Sequence, residues 1–221
     1  MTSRGSQTRV LIAREAARLM YEEHVDQYFT AKRMAAKRLF GVAGAKQTRF
    51  RPSDLPSNGE IQAALLRLAE IVEGDARTDR LGAMRCCALT VMQHLLQFEP
   101  RLIGSVSTGR IRRGSDIDLH VFSDDADAPE AALRELGWAY EKEIAQIRRG
   151  NTWFDYLHLH MDAAFPVELT VYPRGDLRHR PRSSTDGKPI ERLTIAAVLS
   201  LIHREHPNLA NELAQHDHVH L

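Results

Sequence analysis

The stretch Leu102–Phe122, LIGSVSTGRIRRGSDIDLHVF, decides how this chain is read. A short apolar run ends at Gly104-Ser105, and a polar connection carrying Arg110, Arg112 and Arg113 follows. Asp116-Ile117-Asp118 then heads a second apolar run. Successive side chains of a strand point to opposite faces, so Asp116 and Asp118 project together while Ile117 packs behind them. Two carboxylates a few ångströms apart repel unless a cation lies between them. A pair fixed on a strand beside a Gly-Ser turn therefore suits Mg²⁺ carrying a phosphate.

Gly104-Ser105, the ten residues Val106–Ser115 and Asp116-x-Asp118 resemble the signature of the polymerase-beta-like nucleotidyltransferase superfamily. Ser115 stands where many members carry Ser before the first Asp, and the whole chain resembles a small prokaryotic member. The resemblance implies an α+β fold of that type, a mixed β-sheet flanked by helices with an N-terminal helical extension. It also implies transfer of a nucleotidyl group from a nucleoside triphosphate to an acceptor hydroxyl, with release of pyrophosphate. Mg²⁺, or Mn²⁺ in its place, would be the cofactor. Members use three carboxylates, the third on a neighbouring strand, and the best match is Glu168 in Val167-Glu-Leu-Thr-Val-Tyr-Pro173. Strand alternation sends Val167, Leu169 and Val171 to the core and Glu168 and Thr170 to the other face. Many members have Asp at this position, and Asp155 and Asp162 are rival third carboxylates. By resemblance, Asp116 and Asp118 hold the metal that grips the triphosphate. All three acids share a second metal that activates the acceptor, and Glu168 assists as general base.

Nucleotide contacts follow from residue type. A glycine at 104 lets the backbone approach a phosphate closely, and the hydroxyl and amide of Ser105 can donate to it. Arginine suits phosphate oxygens, and Arg110 follows a glycine much as basic residues do in the family. Lys188, in a Gly-Lys-Pro loop read as opening a helix that includes Arg192, is a further candidate. No Gly-Lys-Ser/Thr follows Gly109, so the loop is not a Walker A motif. Small molecules, proteins and RNA are all acceptors within the family, and nothing in the sequence chooses among them. A non-catalytic nucleotide-binding or antitoxin-like module is the alternative, against which the three intact acids count.

Composition sets the bounds. The chain has 221 residues, 43% hydrophobic and 27% charged, as in ordinary soluble domains. No apolar run approaches the roughly 18 residues of a membrane span, and no signal-peptide core is present, so a cytoplasmic protein without a membrane partner is expected. Cys86 and Cys87 are neighbours and read as buried free thiols in a reducing compartment. Residues 1–51 hold eleven Lys/Arg against four Asp/Glu, whereas the remainder holds nineteen against twenty-five. A solvated basic face is the simpler account, and an RNA-binding segment the sharper one.

Periodicity organises the rest into a basic helical extension and linker over 1–56, a nucleotidyltransferase domain over 57–207 and a tail over 208–221. Helix is expected over 9–40 with a break near Val25-Asp26, carried by Val10, Ala13, Ala17, Met20, Tyr28, Ala31, Ala35 and Leu39. Ser57 and Glu60 form a capping-box pattern opening the next helix. Another spans 78–97 with Leu81, Met84, Ala88, Val91 and Leu95 on one face. Strands are expected over 101–104, 116–122, 139–147, 152–161 and 167–172, with a hairpin turn at Arg149-Gly150-Asn151 and helices over 127–136 and 191–204. His158 and His160 share a strand face, and His216, His218 and His220 alternate in the tail. Trp138 and Trp153 read as core or sheet-covering residues.

Overall fold

The computed structural model describes residues 4–25, 27–41, 52–149, 152–183, 185 and 187–211. Packing gathers them into two compact units. One is built from the chain up to residue 77 with 182–188, the other from 78–181 and the chain from 189 onward.

The first unit contains α1 (Arg4–Glu22), α2 (Tyr28–Phe40) and α3 (Asn58–Glu73). The break between α1 and α2 falls where the apolar period slips. Ser57 caps α3 as its sequence requires: its hydroxyl accepts from the Glu60 amide at 3.2 Å, and Glu60 accepts from the Ser57 amide at 2.7 Å. Ile12, Ala16, Leu19, Ala31, Ala35, Ile61 and Leu65 form the core. The alanines let the helices approach closely. Ala13, Ala17, Met20, Ala31 and Ala35 are buried as expected, whereas Val10 and Leu39, expected inside, are 46% and 41% exposed. Part of the basic surplus is engaged within the unit. Arg18 pairs with Glu15, Glu22 and Glu23, Arg38 with Glu15 and Glu23, and Lys32 donates to the Pro56 carbonyl. The linker residues 42–51 lie outside the described residues, and Pro52–Asp54 forms a short 3₁₀ turn.

Most of α4 (Asp75–His94) belongs to the second unit, with β1 (Arg101–Ile103), α5 (Gly104–Thr108), β2 (Ile117–Phe122) and α6 (Asp127–Glu135). β3 (Glu141–Arg149), β4 (Thr152–Asp162), β5 (Pro166–Tyr172) and α7 (Ile195–Glu205) complete it. The five strands make one mixed sheet in the order β1-β2-β5-β4-β3, in which only β2 and β5 run parallel. Odd-numbered residues of β2, β4 and β5 bury on one face against Met84, Ala88 and Met92 of α4, Leu133 of α6 and Val198 and Ile202 of α7. The even-numbered face carries the polar residues.

Three expectations change. The final helix starts at Ile195, not 191, because Leu193 bridges Leu102 of β1 in extended form and the Thr194 hydroxyl caps Ala197. Arg192 is therefore not helical. Residues 207–211 are helical too, and Ala210 is buried in the core. Trp153 is 61% exposed, since it sits beyond the helix-covered part of β4. The turn residues Gly150 and Asn151, and the three tail histidines, lie outside the described residues.

Arg85 sits on the apolar face of α4, 1% exposed. It donates through Nε to the Val106 carbonyl of α5 at 3.2 Å and through Nη1 to Glu205 at 2.6 Å. It thereby ties the Gly-Ser segment to α4 and α7. Arg85→Ala removes these bonds and leaves a void, a loss of about 3 kcal/mol on the scale of large-to-small core substitutions. Denaturant unfolding followed by the fluorescence of Trp138 and Trp153, both in the second unit, measures it. A loss below about 1 kcal/mol would mean that Arg85 does not anchor the segment.

Candidate metal and nucleotide site

Strand register builds the site. Ile103 lies opposite Asp118 across β1 and β2, Asp118 opposite Glu168 across β2 and β5, and Glu168 opposite His160 across β5 and β4. Asp116 precedes the strand, which begins at Ile117 and not at 116. A tight turn delivers it, in which the Ser115 amide donates to the Arg112 carbonyl and the Ser115 hydroxyl accepts from the Arg112 amide, each at 3.0 Å. Ser115 thus has a structural task. Ile117 and Leu119 are 0% and 1% exposed and fix the strand from behind. Carboxyl oxygens of Asp116, Asp118 and Glu168 then lie within 4.8 Å of one another.

The Gly-Ser segment is a one-turn helix rather than an open turn. Gly104 has φ 72°, and a Cβ there would collide with the Asp118 carboxylate. Only glycine allows β1 to end so close to this acid. The hydroxyls of Ser107 and Thr108 donate to the Gly104 carbonyl at 2.9 and 3.0 Å, so they serve the segment itself. Ser105 is half-buried at the first turn, and its carbonyl accepts from the Arg110 amide at 2.8 Å. The Arg110 side chain is exposed. Lys188 is also exposed and packs with the first unit, so it stays a candidate from sequence only.

The acids differ in their surroundings. Burial, then the charges of Asp116 and Glu168, push the Asp118 carboxyl up to about 7, and nothing among the described residues offers it a compensating donor or cation. Glu168 is held below the usual carboxylate range by a hydrogen bond from His158, 2.6 Å away, which outweighs its own burial. Asp116, Tyr140, Glu141, His160, Asp162 and Glu168 line a cleft of about 390 Å³. Asp162 shares this cleft without joining the three-acid cluster. Asp155 points elsewhere, accepting from Gln146 at 2.9 Å. Three hard oxygen donors from Asp116, Asp118 and Glu168, with no Lys or Arg paired to them among the described residues, fit Mg²⁺ or Mn²⁺.

Sequence reasoning missed the support at the far end of this face. Arg192, 8% exposed, stacks over Phe122 and Tyr172 at 4.9 and 5.3 Å and donates to His120 Nδ1 at 3.0 Å. Its Nη1 also binds the carbonyls of Asp176 and His179. The adjacent apolar residues gave no signal of it, because its partners come from three separate segments. Cys86 and Cys87 are half-buried and in no disulfide among the described residues, and burial raises the Cys87 thiol. Among the described residues, no helix is long and apolar enough to cross a membrane.

Neither a protein-family model nor a curated protein matches the chain. Solved structures give partial likeness. The poly(U) polymerase Cid1 with a UTP analogue is 20% identical over 42% of this chain and 31% of that one, with a TM-score of 0.31. A cytoplasmic RNA terminal U-transferase is 18% identical over 52% of this chain and 34% of that one, with a TM-score of 0.26. The matched stretches span about a third of either enzyme. At this level of likeness the site rests on its own geometry.

The Asp118 carboxyl titrates higher in the fold than the value of about 4 of an unfolded chain. In metal-free protein the folded state thus holds the extra proton, and its stabilising effect is lost as pH rises through about 7. Asp118→Asn, which cannot ionise, is expected to raise Tm by about 10 °C near pH 8 and by much less near pH 5. Thermal melts in chelator at the two pH values decide it, and equal shifts at both would refute the burial of this charge.

Proposed function

We propose that the protein is a metal-dependent nucleotidyltransferase, moving a nucleoside monophosphate from a nucleoside triphosphate to an acceptor hydroxyl and releasing pyrophosphate. The observation that carries this reading is the convergence of Asp116, Asp118 and Glu168 beside the Gly104-Ser105 turn. Phosphoryl and nucleotidyl transfer ask a protein for alignment and charge neutralisation more than for covalent help. Asp116, Asp118 and Glu168 would hold Mg²⁺, which would supply Lewis-acid stabilisation of the phosphate oxygens.

The chain's own residues divide the remaining work. The backbone at Gly104, which lies against the Asp118 carboxylate, and Ser105 beside it are the candidates to receive a phosphate oxygen. Arg110 is the candidate to screen triphosphate charge, and Lys188 the candidate contact from the Gly-Lys-Pro loop. Glu168, kept ionised by His158, accepts the proton of the acceptor hydroxyl as its oxygen bonds to the α-phosphorus. The bond from the α-phosphorus to its bridging oxygen breaks in the same step, and pyrophosphate leaves with that electron pair. RNA as acceptor would draw on the basic N-terminal segment, although Arg18, Arg38 and Lys32 already have partners there.

Incubating the protein with each of the four nucleoside triphosphates, Mg²⁺ or Mn²⁺ and pooled small-molecule, protein and RNA acceptors should release pyrophosphate. Asp116→Ala, Asp118→Ala and Glu168→Gln should each lower that release by about 100-fold or more, with circular dichroism unchanged. Undiminished turnover in the Asp116→Ala/Asp118→Ala double variant would reject the reading. Tight nucleotide binding with no pyrophosphate would favour the non-catalytic alternative.

A further inference from the structure

We propose that His158, His160 and Glu168 form a second cation site, one that takes a borderline transition metal such as Zn²⁺. The antiparallel register of β4 and β5 sets His160 opposite Glu168 and His158 opposite Thr170, one step along the same face. Both imidazoles therefore flank a single carboxylate. His158 Nδ1 lies 2.6 Å from Oε1 of Glu168, and His160 Nδ1 lies 4.0 Å from its Oε2. One ligand atom from each of the three residues falls within a 4.8 Å cluster.

The outer ring nitrogens fit the same assignment. His158 Nε2 is buried without a partner among the described residues, so Nδ1 is the atom this ring presents. His160 Nε2 lies 3.7 Å from the exposed Glu143 carboxylate of β3, a charge contact longer than a hydrogen bond, on the side of the ring away from Glu168. A carboxylate behind a ligating imidazole is the usual device for fixing tautomer and ring angle. A histidine serving only as hydrogen-bond donor to Glu168 would need neither the second imidazole nor Glu143. Two imidazoles and one carboxylate select Zn²⁺ or a neighbouring transition metal, whereas Mg²⁺ prefers the all-oxygen set of Asp116, Asp118 and Glu168. Three protein ligands also leave a coordination position open toward the cleft that His160 and Glu168 line. The site does not require that nucleotidyl transfer occurs, but it shares Glu168 with the Mg²⁺ set and, when filled, takes the place of the His158–Glu168 hydrogen bond.

The test is Zn²⁺ titration calorimetry on the full-length, chelator-stripped protein with Mg²⁺ in excess, paralleled by Co²⁺ titration read in the visible spectrum. His216→Asn/His218→Asn/His220→Asn serves as the background, because alternating tail histidines also attract Zn²⁺. One equivalent should bind in that background, weakened about tenfold or more by His158→Gln and by His160→Gln. Asp116→Asn should leave the isotherm unchanged. His160 is exposed enough that its substitution spares the fold, so His160→Gln decides the matter if His158→Gln misfolds. Unchanged affinity in His160→Gln, loss of all binding on substituting the tail, or weakening by Asp116→Asn alone would each overturn the site. Absence of pyrophosphate release would leave this isotherm as it is, so the two proposals fail separately.

Discussion

The parallel pairing of β2 with β5 is the constraint on which the polar face depends. Asp116, Asp118 and Glu168 all lie at or just before the early residues of their strands. Parallel alignment brings those beginnings to the same end of the sheet, whereas an antiparallel pair would have set Glu168 against the far end of β2. Such a pairing needs a long crossover, and α6 with the β3–β4 hairpin supplies it. The arrangement has an electrostatic cost. Raising the Asp118 carboxyl to about 7 corresponds to about 4 kcal/mol at 1.36 kcal/mol per unit. Ile117, Leu119, Val167 and Leu169, on the same two strands and at most 2% exposed, outweigh it at about 1.5–3 kcal/mol each. The apolar face holds in place what the polar face would push apart.

Two further devices set how the face is divided. At the carboxylate end, Gly104 lets β1 close against Asp118, and Arg85 pins the following turn from below. At the opposite end, Phe122, Tyr156 and Tyr172 cluster under Leu177, and Arg192 ties the 174–179 segment across them. One face of one sheet thus runs from acids, through His120, Thr170 and His158, to a covered aromatic end.

Much of this was legible in the sequence wherever a local rule applied. Alternation and helical spacing gave the strands and the α4 stripe, and the Ser57–Glu60 box gave the start of α3. The Asp-x-Asp spacing put Asp116 and Asp118 on one face, and the family resemblance singled out Glu168, with strand parity turning it to the polar face. What escaped depends on pairing between distant segments. Nothing local says that β5, not β1, is the parallel neighbour of β2, or that Leu193 bridges Leu102 and so delays α7. Arg85 carried a faint signal, a charged residue within an apolar stripe, but Glu205 lies 120 residues away. The reason for glycine at 104 is likewise tertiary, since it is the Asp118 carboxylate that fills the space of a side chain. His158 and His160 were visible as a same-face pair, but their placement around Glu168 follows from strand order alone.

That placement bears on why a glutamate occupies position 168, where the resembling family often has aspartate. The extra methylene carries the carboxyl away from its own strand. One oxygen reaches His158 Nδ1 at 2.6 Å on β4, while the group stays within the cluster formed with Asp116 and Asp118 on the β2 side. A shorter acid would keep its charge nearer to β5 and give up one set of partners or the other. His158 also lowers the Glu168 carboxyl while burial raises that of Asp118, so neighbouring acids on paired strands are pushed in opposite directions. The longer side chain and the imidazole beside it therefore belong to one arrangement. Glu168 is the acid most readily kept charged where three would otherwise crowd one another, and in metal-free protein a proton on Asp118 relieves that crowding as pH falls through about 7.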